Sequence, residues 1–325
     1  MTVYTSILII VIGFIMLIKG ADFLVDGASN VAKKFHIPEI VIGLTIISIG
    51  TSMPELIVSI TSALGGRSDM SLGNALGSNI CNLLLILGVS TMIRRIDFKR
   101  ETRLIEVPMS LAFTIIFMCL CNLGQYISRV DALILIALFI MFIAYTVVMA
   151  LKGEQFDKED NNEEQEVEKE KENKKPTAVW LDIIYIILGI VILKIGGDLT
   201  VDHAVNVAEY YKLSEKIIGV TILAVGTSLP ELVTSVSAAI KGKSDIAIGN
   251  ILGSNIFNML MIIGVSAIIK PFAYNMSYNK EMIILIVSTI ILALFPIIPP
   301  KNKMSRRNGA LYFGMYIAYV ISLFI

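Results

Sequence analysis

Hydrophobic and polar positions along this chain alternate on the length scale of a bilayer, not of a strand or an amphipathic surface helix. Apolar runs long enough to cross hydrocarbon fall at about 5–31, 38–65, 70–92, 103–123, 130–151, 178–208, 214–240, 246–269, 281–299 and 308–325. In lipid every backbone polar group needs an internal partner, so such runs are helices. The pattern predicts an all-α membrane protein with ten transmembrane helices, five on each side of a polar interval. That interval, 152–177, holds ten acidic residues and six lysines and reads as a charged, solvated linker. Without EF-hand spacing, a linker is preferred to a regulatory calcium-binding segment. The expected domains are residues 1–151, the first five-span repeat; 152–177, the linker; and 178–325, the second repeat. The first run is too long for a signal-peptide core and has no small-residue cleavage site after it, so it is expected to remain a span.

The polar residues inside the runs recur. GTSMPELIVSITSALGGRSDMSLGNALGSNICN, from Gly50 to Asn82, returns as GTSLPELVTSVSAAIKGKSDIAIGNILGSNIFN, from Gly226 to Asn258, matching at 19 of 33 positions at a constant offset of 176. A match of that density without a gap is an internal duplication, which governs the architecture. It extends further: GADFLVDGA at 20–28 pairs with GGDLTVDHA at 196–204, and Gly43 and Thr45 pair with Gly219 and Thr221. Five spans per half is an odd number, so the second copy enters the membrane from the opposite face. The fold expected is two inverted five-helix repeats with broken core helices, with the site at mid-bilayer between them.

Charge adds orientation. With the amino terminus outside, 19 Lys and Arg fall in inside loops or the linker and 6 in outside loops. The positive-inside rule then puts both termini outside and the linker in the cytoplasm of a multi-pass cell-membrane protein. A net charge of zero, with no basic stripe on either copy, gives no reason to expect nucleic acid. Cys81, Cys119 and Cys121 are an odd number without metal or redox spacing and read as small apolar residues.

Each copy runs a helix into Gly-Thr-Ser-x-Pro-Glu. Proline offers no N–H and clashes with the carbonyl four residues back, Gly50 or Gly226. The helix should break there and free carbonyls around Ser48–Thr51 and Ala224–Thr227. One turn on stands a carboxylate, Glu55 or Glu231. The next span adds Gly-Ser-Asn-x-x-Asn, with Ser78 and Asn82, or Ser254 and Asn258, four apart on one helix face. Ionisable groups inside a membrane are expensive and mark function by default. The ligand inventory is carboxylate, hydroxyl, amide and main-chain oxygen without thiolate or imidazole, which suits calcium and sodium and not zinc or copper. Two glutamates would neutralise one divalent ion and repel when unloaded, making occupancy a condition for crossing between states.

Each of these residues also has a blander reading. Pro54 and Pro230 could be ordinary kinks, and Glu55 and Glu231 structural carboxyls, although the motif supplies few donors for them. Asn74 and Asn250 divide evenly between packing and function. Asp69 and Asp245 read as helix-end caps; Asp22, Asp26, Asp198 and Asp202 as interfacial residues; Lys19 and Lys194 as snorkelling cations; His36 and His203 as interfacial.

The duplicated GTSMPEL…GNALGSNICN and GTSLPEL…GNILGSNIFN resemble the alpha repeats of the sodium/calcium exchangers in the cation/calcium antiporter superfamily, of prokaryotic type, over nearly the whole chain. The resemblance implies that spans 2, 3, 7 and 8 form the ion-binding core across which spans 1 and 6 slide. It implies Glu55 and Glu231 as central calcium ligands with oxygen from Thr51 and Thr227. Ser52, Ser78, Ser228 and Ser254 would complete sodium sites with main-chain oxygen from Ser48 and Ala224, and Asn82 and Asn258 would sit centrally. Several relatives, the potassium-dependent exchangers among them, carry aspartate at the position of Asn258; asparagine here argues against potassium co-transport. The proton/calcium branch has a Gly-Asn-x-x-Glu type motif instead, which favours sodium as the driving ion. The expectation is an antiporter, not an enzyme. Its transported ions are calcium and sodium, it needs no resident cofactor, and a monomer suffices. A proton/calcium exchanger is the alternative, and a cation channel a more distant one.

Overall fold

The computed structural model describes residues 3–66, 68–160, 178–211, 224–297 and 301–323. Helices dominate: α1 (Val3–Phe35), α2 (Glu39–Thr51), α3 (Met53–Leu64), α4 (Met70–Ile93), α5 (Thr102–Gly124), α6 (Arg129–Asp160), α7 (Val179–Tyr210), α8 (Ala224–Thr227), α9 (Leu229–Ile240), α10 (Ser244–Ile269), α11 (Met276–Leu294) and α12 (Arg306–Ser322). Among the described residues, seven helices are long and apolar enough to cross a membrane, and α2 with α3 makes an eighth crossing bent by 48°. The ten spans expected are therefore met in part. α12 has 17 residues and opens on two arginines; residues 214–223 of the seventh run lie outside the described residues, leaving α8 and α9. Most of the 152–177 linker lies outside them too, but α6 continues as helix to Asp160, nine residues past the apolar run.

The expected breaks are present, with matching geometry. Ser52 (φ −88°, ψ 11°) parts α2 from α3, and Ser228 (φ −89°, ψ 9°) parts α8 from α9. Each falls two residues before the proline, not at the carbonyl the ring would strike. Proline lies in the first turn of the second segment, where its missing N–H would have no helical partner anyway. The Ser48 carbonyl is consequently not left bare, because the Ser52 N–H donates to it at 3.0 Å. Wider π-helical turns interrupt α2 at Gly43–Ile47, α4 at Cys81–Ile86 and α10 at Phe257–Ile262. Asn82 and Asn258 sit in the last two, and such turns gather at functional positions.

Two long helices, α1 and α7, pack antiparallel along their lengths on a seam of glycines. A Cβ at Gly13 would meet Gly196 O at 2.9 Å, one at Gly20 Gly189 O at 3.0 Å, and one at Gly27 Asp182 O at 2.8 Å. Small residues let membrane helices approach this closely and gain dispersion in place of the hydrophobic effect. α2 crosses α10 in the same way, with Gly43 against Gly249. Two short antiparallel ladders, unforeseen in an all-α reading, tie loops together: Ile96–Asp97 with Lys303–Met304, and Tyr126–Ile127 with Phe272–Ala273.

The interfacial charges pair more than expected. Lys241 reaches Asp22 at 3.0 Å and Asp26 at 2.8 Å, and Lys243 reaches Glu39 at 2.8 Å. Asp245 pairs with Lys99 at 2.9 Å in place of capping α10, and Lys194 pairs with Asp198 at 2.6 Å in place of snorkelling alone. Asp182, which the apolar pattern concealed, is fully buried and bound by Lys34 and Asn30, fastening the start of α7 to the end of α1.

Candidate functional site

The proline breaks turn α3 and α9 so that Glu55 and Glu231, in their first turns, are buried, each 1% exposed. The Glu55 carboxyl lies within electrostatic reach of Glu231 and beside Ser78. Ser52 belongs to the first copy but donates to the second: its Oγ gives a hydrogen bond to Glu231 Oε1 at 2.7 Å and lies 3.0 Å from Ser254 Oγ. Ser254 Oγ in turn stands 3.5 Å from the Ser48 carbonyl. Thr51 Oγ1 donates to Asn250 Oδ1 at 3.1 Å, and Asn250 Nδ2 donates to Ser235 Oγ at 2.9 Å. Ser48, Thr51, Ser52, Glu231 and Ser254 are thus joined across the two copies. Ala224 stands at the start of α8, three residues before Thr227.

Asn82 and Asn258 are held by two residues that the sequence reading passed over. Asn79 Nδ2 donates to the Asn255 carbonyl at 3.1 Å, and Asn255 Nδ2 donates to the Asn79 carbonyl at 3.3 Å. Asn82 Nδ2 donates to Asn255 Oδ1 at 3.1 Å, and Asn258 Nδ2 to Asn79 Oδ1 at 3.0 Å. Each bond has its counterpart 176 residues on, so the contact is reciprocal in the manner of a two-fold interface. With their Nδ2 groups committed to Asn255 and Asn79, Asn82 and Asn258 keep their Oδ1 atoms for something else. The signal was available, since asparagine recurs at 79 and 255 inside Gly-Ser-Asn. It lies off the face shared by Ser78 and Asn82, which drew attention first.

Thirteen buried side-chain atoms lack a hydrogen-bond partner among the described residues, and all are oxygens. Seven belong to residues predicted for the site: Glu55 Oε2, Glu231 Oε2, Ser78 Oγ, Ser228 Oγ, Thr227 Oγ1, Asn82 Oδ1 and Asn258 Oδ1. Burying a polar atom without a partner costs about 1–3 kcal/mol, so a concentration of this kind is not accidental packing. Oxygen alone, carboxylate plus neutral, is the donor chemistry of hard cations, and six to eight donors is the usual calcium complement. Among the described residues no three or more His, Cys, Asp or Glu gather into a metal cluster, so cation binding here would rest on two carboxylates and neutral oxygens. Glu106, another buried carboxyl missed in the sequence, accepts instead from Tyr145 at 3.2 Å.

Comparison with known proteins bears on the chain as a whole. The family described as "Sodium/calcium exchanger protein" matches residues 5–148 and 181–325. The chain is 34% identical to inner membrane protein YrbG of Escherichia coli over 97% of its own length and 96% of that protein. It is 30% identical to sodium/calcium exchanger MaX1 of Methanosarcina acetivorans over 98% of both. A solved structure of the sodium-calcium exchanger NCX_Mj superposes with a TM-score of 0.83 at 29% identity, covering 99% of each chain.

Proposed function

The chain belongs to the sodium/calcium exchanger protein family, a family of transporters and not of enzymes, and we propose that it is a secondary antiporter driving calcium across the cell membrane against sodium by alternating access. Its substrates are the two cations. One chain supplies both halves of the site, so a monomer is sufficient. In this reading residues 1–151 and 178–325 are inverted repeats, both termini face outside, and the linker is cytoplasmic.

The observation that carries the proposal is the set of seven unpartnered, buried oxygens shared between the copies. Glu55 and Glu231 would take calcium centrally with Thr51 and Thr227. Ser52, Ser78, Ser228 and Ser254, with the main-chain oxygens of Ser48 and Ala224, would hold sodium. Asn82 and Asn258 would present Oδ1 between the carboxylates. Two carboxylates facing in low dielectric repel, so the ion-free pocket resists rearrangement, and either one divalent or several monovalent cations relieve it. That requirement couples the two fluxes instead of letting either leak.

The test is calcium-45 uptake into proteoliposomes of the purified chain, driven by an outward sodium gradient, with potassium and pH varied independently. Uptake should follow sodium and ignore potassium. Uptake that tracks a proton gradient without sodium would replace sodium by protons as the coupling ion, and flux indifferent to trans sodium would mean a channel.

A further inference from the structure

On the side of the molecule that carries the linker, a cavity of about 440 Å³ is lined by Arg94, Arg95, Asp97, Lys303 and Arg306. The short ladder builds it by pairing Asp97 with Lys303 and so bringing the end of α4 beside the start of α12. Asp97 answers Lys303 at 3.2 Å, leaving three arginines. Arg94 and Arg306 are positioned by main-chain carbonyls, at Ile240 and Ile93, and Arg95 has no hydrogen-bond partner among the described residues. The amino-terminal end of α12 opens here and adds partial positive charge. Directly before the arginines, Met92 and Ile93 are each 40% exposed on the apolar flank.

The duplication supplies an internal control. The same scaffold recurs around the Tyr126–Ile127 and Phe272–Ala273 ladder, one strand displaced by 176 residues and the other by 177. There the equivalents of Arg94, Arg95, Asp97, Lys303 and Arg306 are Lys270, Pro271, Ala273, Tyr126 and Arg129. The backbone device is built twice, with four cations on the linker side and two, Lys270 and Arg129, on the other, and only the linker-side copy sets adjacent arginines at 94 and 95.

We infer that this cavity binds the phosphate headgroup of an anionic glycerophospholipid in the linker-side leaflet. Guanidinium groups chelate phosphate oxygens two at a time, basic pockets at the cytoplasmic interface take anionic headgroups, and acyl chains would lie along Met92 and Ile93. The site goes beyond ion exchange and depends on it in no way, although Arg94 also touches the end of α9, the helix of Glu231.

The full chain is reconstituted in nanodiscs of phosphatidylcholine with a minority of phosphatidylglycerol, extracted gently, and weighed by native mass spectrometry to count retained phosphatidylglycerol. R94Q/R95Q/R306Q should lower its apparent affinity on the order of a hundredfold, at about a factor of five per cation. R100Q/K301Q/R307Q removes equal charge from the same face outside the cavity and should retain lipid as wild type does. Equal loss in both triple variants, loss in neither, or displacement of the lipid by inorganic phosphate overturns the proposal. If the triple variant does not fold, Arg95→Gln alone, which breaks no protein hydrogen bond, should still reduce retention severalfold.

Discussion

The two copies carry the same polar residues at the site, yet they do not make the same bonds. Ser52 donates to Glu231 and touches Ser254, and Thr51 reaches Asn250. Their counterparts, 176 residues displaced, are Ser228, Glu55, Ser78 and Thr227, and Ser228 Oγ, Ser78 Oγ, Glu55 Oε2 and Thr227 Oγ1 all stay unpartnered among the described residues. One crossed half-site is knit together while the other is loose. The duplicated site is therefore bonded asymmetrically, which is what the alternating access proposed above expects of either one of its two states. In the opposite state the roles of the halves would exchange, with Ser228 closing on Glu55 and Ser78.

The strongest way to break this comparison is to remove charge from each half. Glu55→Gln and Glu231→Gln keep the shape but delete half the site's formal charge, a loss of about 3 kcal/mol or more for a buried partner. Each should cut sodium-driven calcium-45 uptake a hundredfold or more while leaving expression and gel-filtration behaviour intact. Wild-type exchange in either variant would end the ligand assignment.

Stability separates the halves more finely. Ser52→Ala strands Glu231 Oε1 in the interior without its donor and should cost about 1–3 kcal/mol. Ser228→Ala removes a hydroxyl that has no oxygen or nitrogen partner among the described residues and only the Cys81 thiol beside it, and should cost little or nothing. Melting curves in buffer free of sodium and calcium should therefore show a drop for the first and none for the second, although both should slow transport. Equal drops would mean that the asymmetry between the halves is not real. A smaller version of the contrast is Thr51→Val against Thr227→Val. Only the first loses a hydrogen bond, worth about 0.5–1.5 kcal/mol, and the same melts measure it.

These contrasts mark the limit of what the amino acids disclose by themselves. Spans longer than a bilayer, the 176-residue offset and the break before Pro54 all follow from hydropathy and backbone chemistry, which act locally. Which copy closes does not, because Ser52 and Ser228 share the same neighbours and nearly the same φ and ψ. Only packing against α10 and α4 tells them apart. The reciprocal Asn79–Asn255 bonds were hidden for a related reason: a residue that serves contact between repeats looks, within one repeat, like one more polar side chain. Asp245 resembled a helix cap because it sits in a first turn; Lys99, 146 positions away, takes it instead. Where the copies differ in residue type, by contrast, the difference could be read directly, as with Lys241 against Gly65.

That last difference supports the smallest and most specific prediction. Lys241, at the end of α9, bonds both Asp22 and Asp26 of α1. By the 176 offset, the opposite face of the molecule has Asp198 and Asp202 on α7 but Gly65 in place of the lysine, and Asp198 turns to Lys194 on its own helix. The linker-side end is thus pinned by Lys241, whereas at the other end no such lysine joins the helix of Glu55 to α7 among the described residues, matching the knit and loose half-sites. These pairs are partly exposed, so each contributes at most about 1 kcal/mol, and Lys241→Gln should raise opening on the linker side no more than about fivefold. Hydrogen–deuterium exchange over residues 20–34 and 237–245 should quicken accordingly, and high salt should reproduce the effect in the wild type by screening. Gly65→Lys, at a residue whose φ of −73° admits a side chain, should pin the opposite end and slow exchange there. If Lys241→Gln leaves exchange unchanged, the ions do not hold the closed end, and the asymmetry must rest on the hydrogen bonds around Ser52 alone.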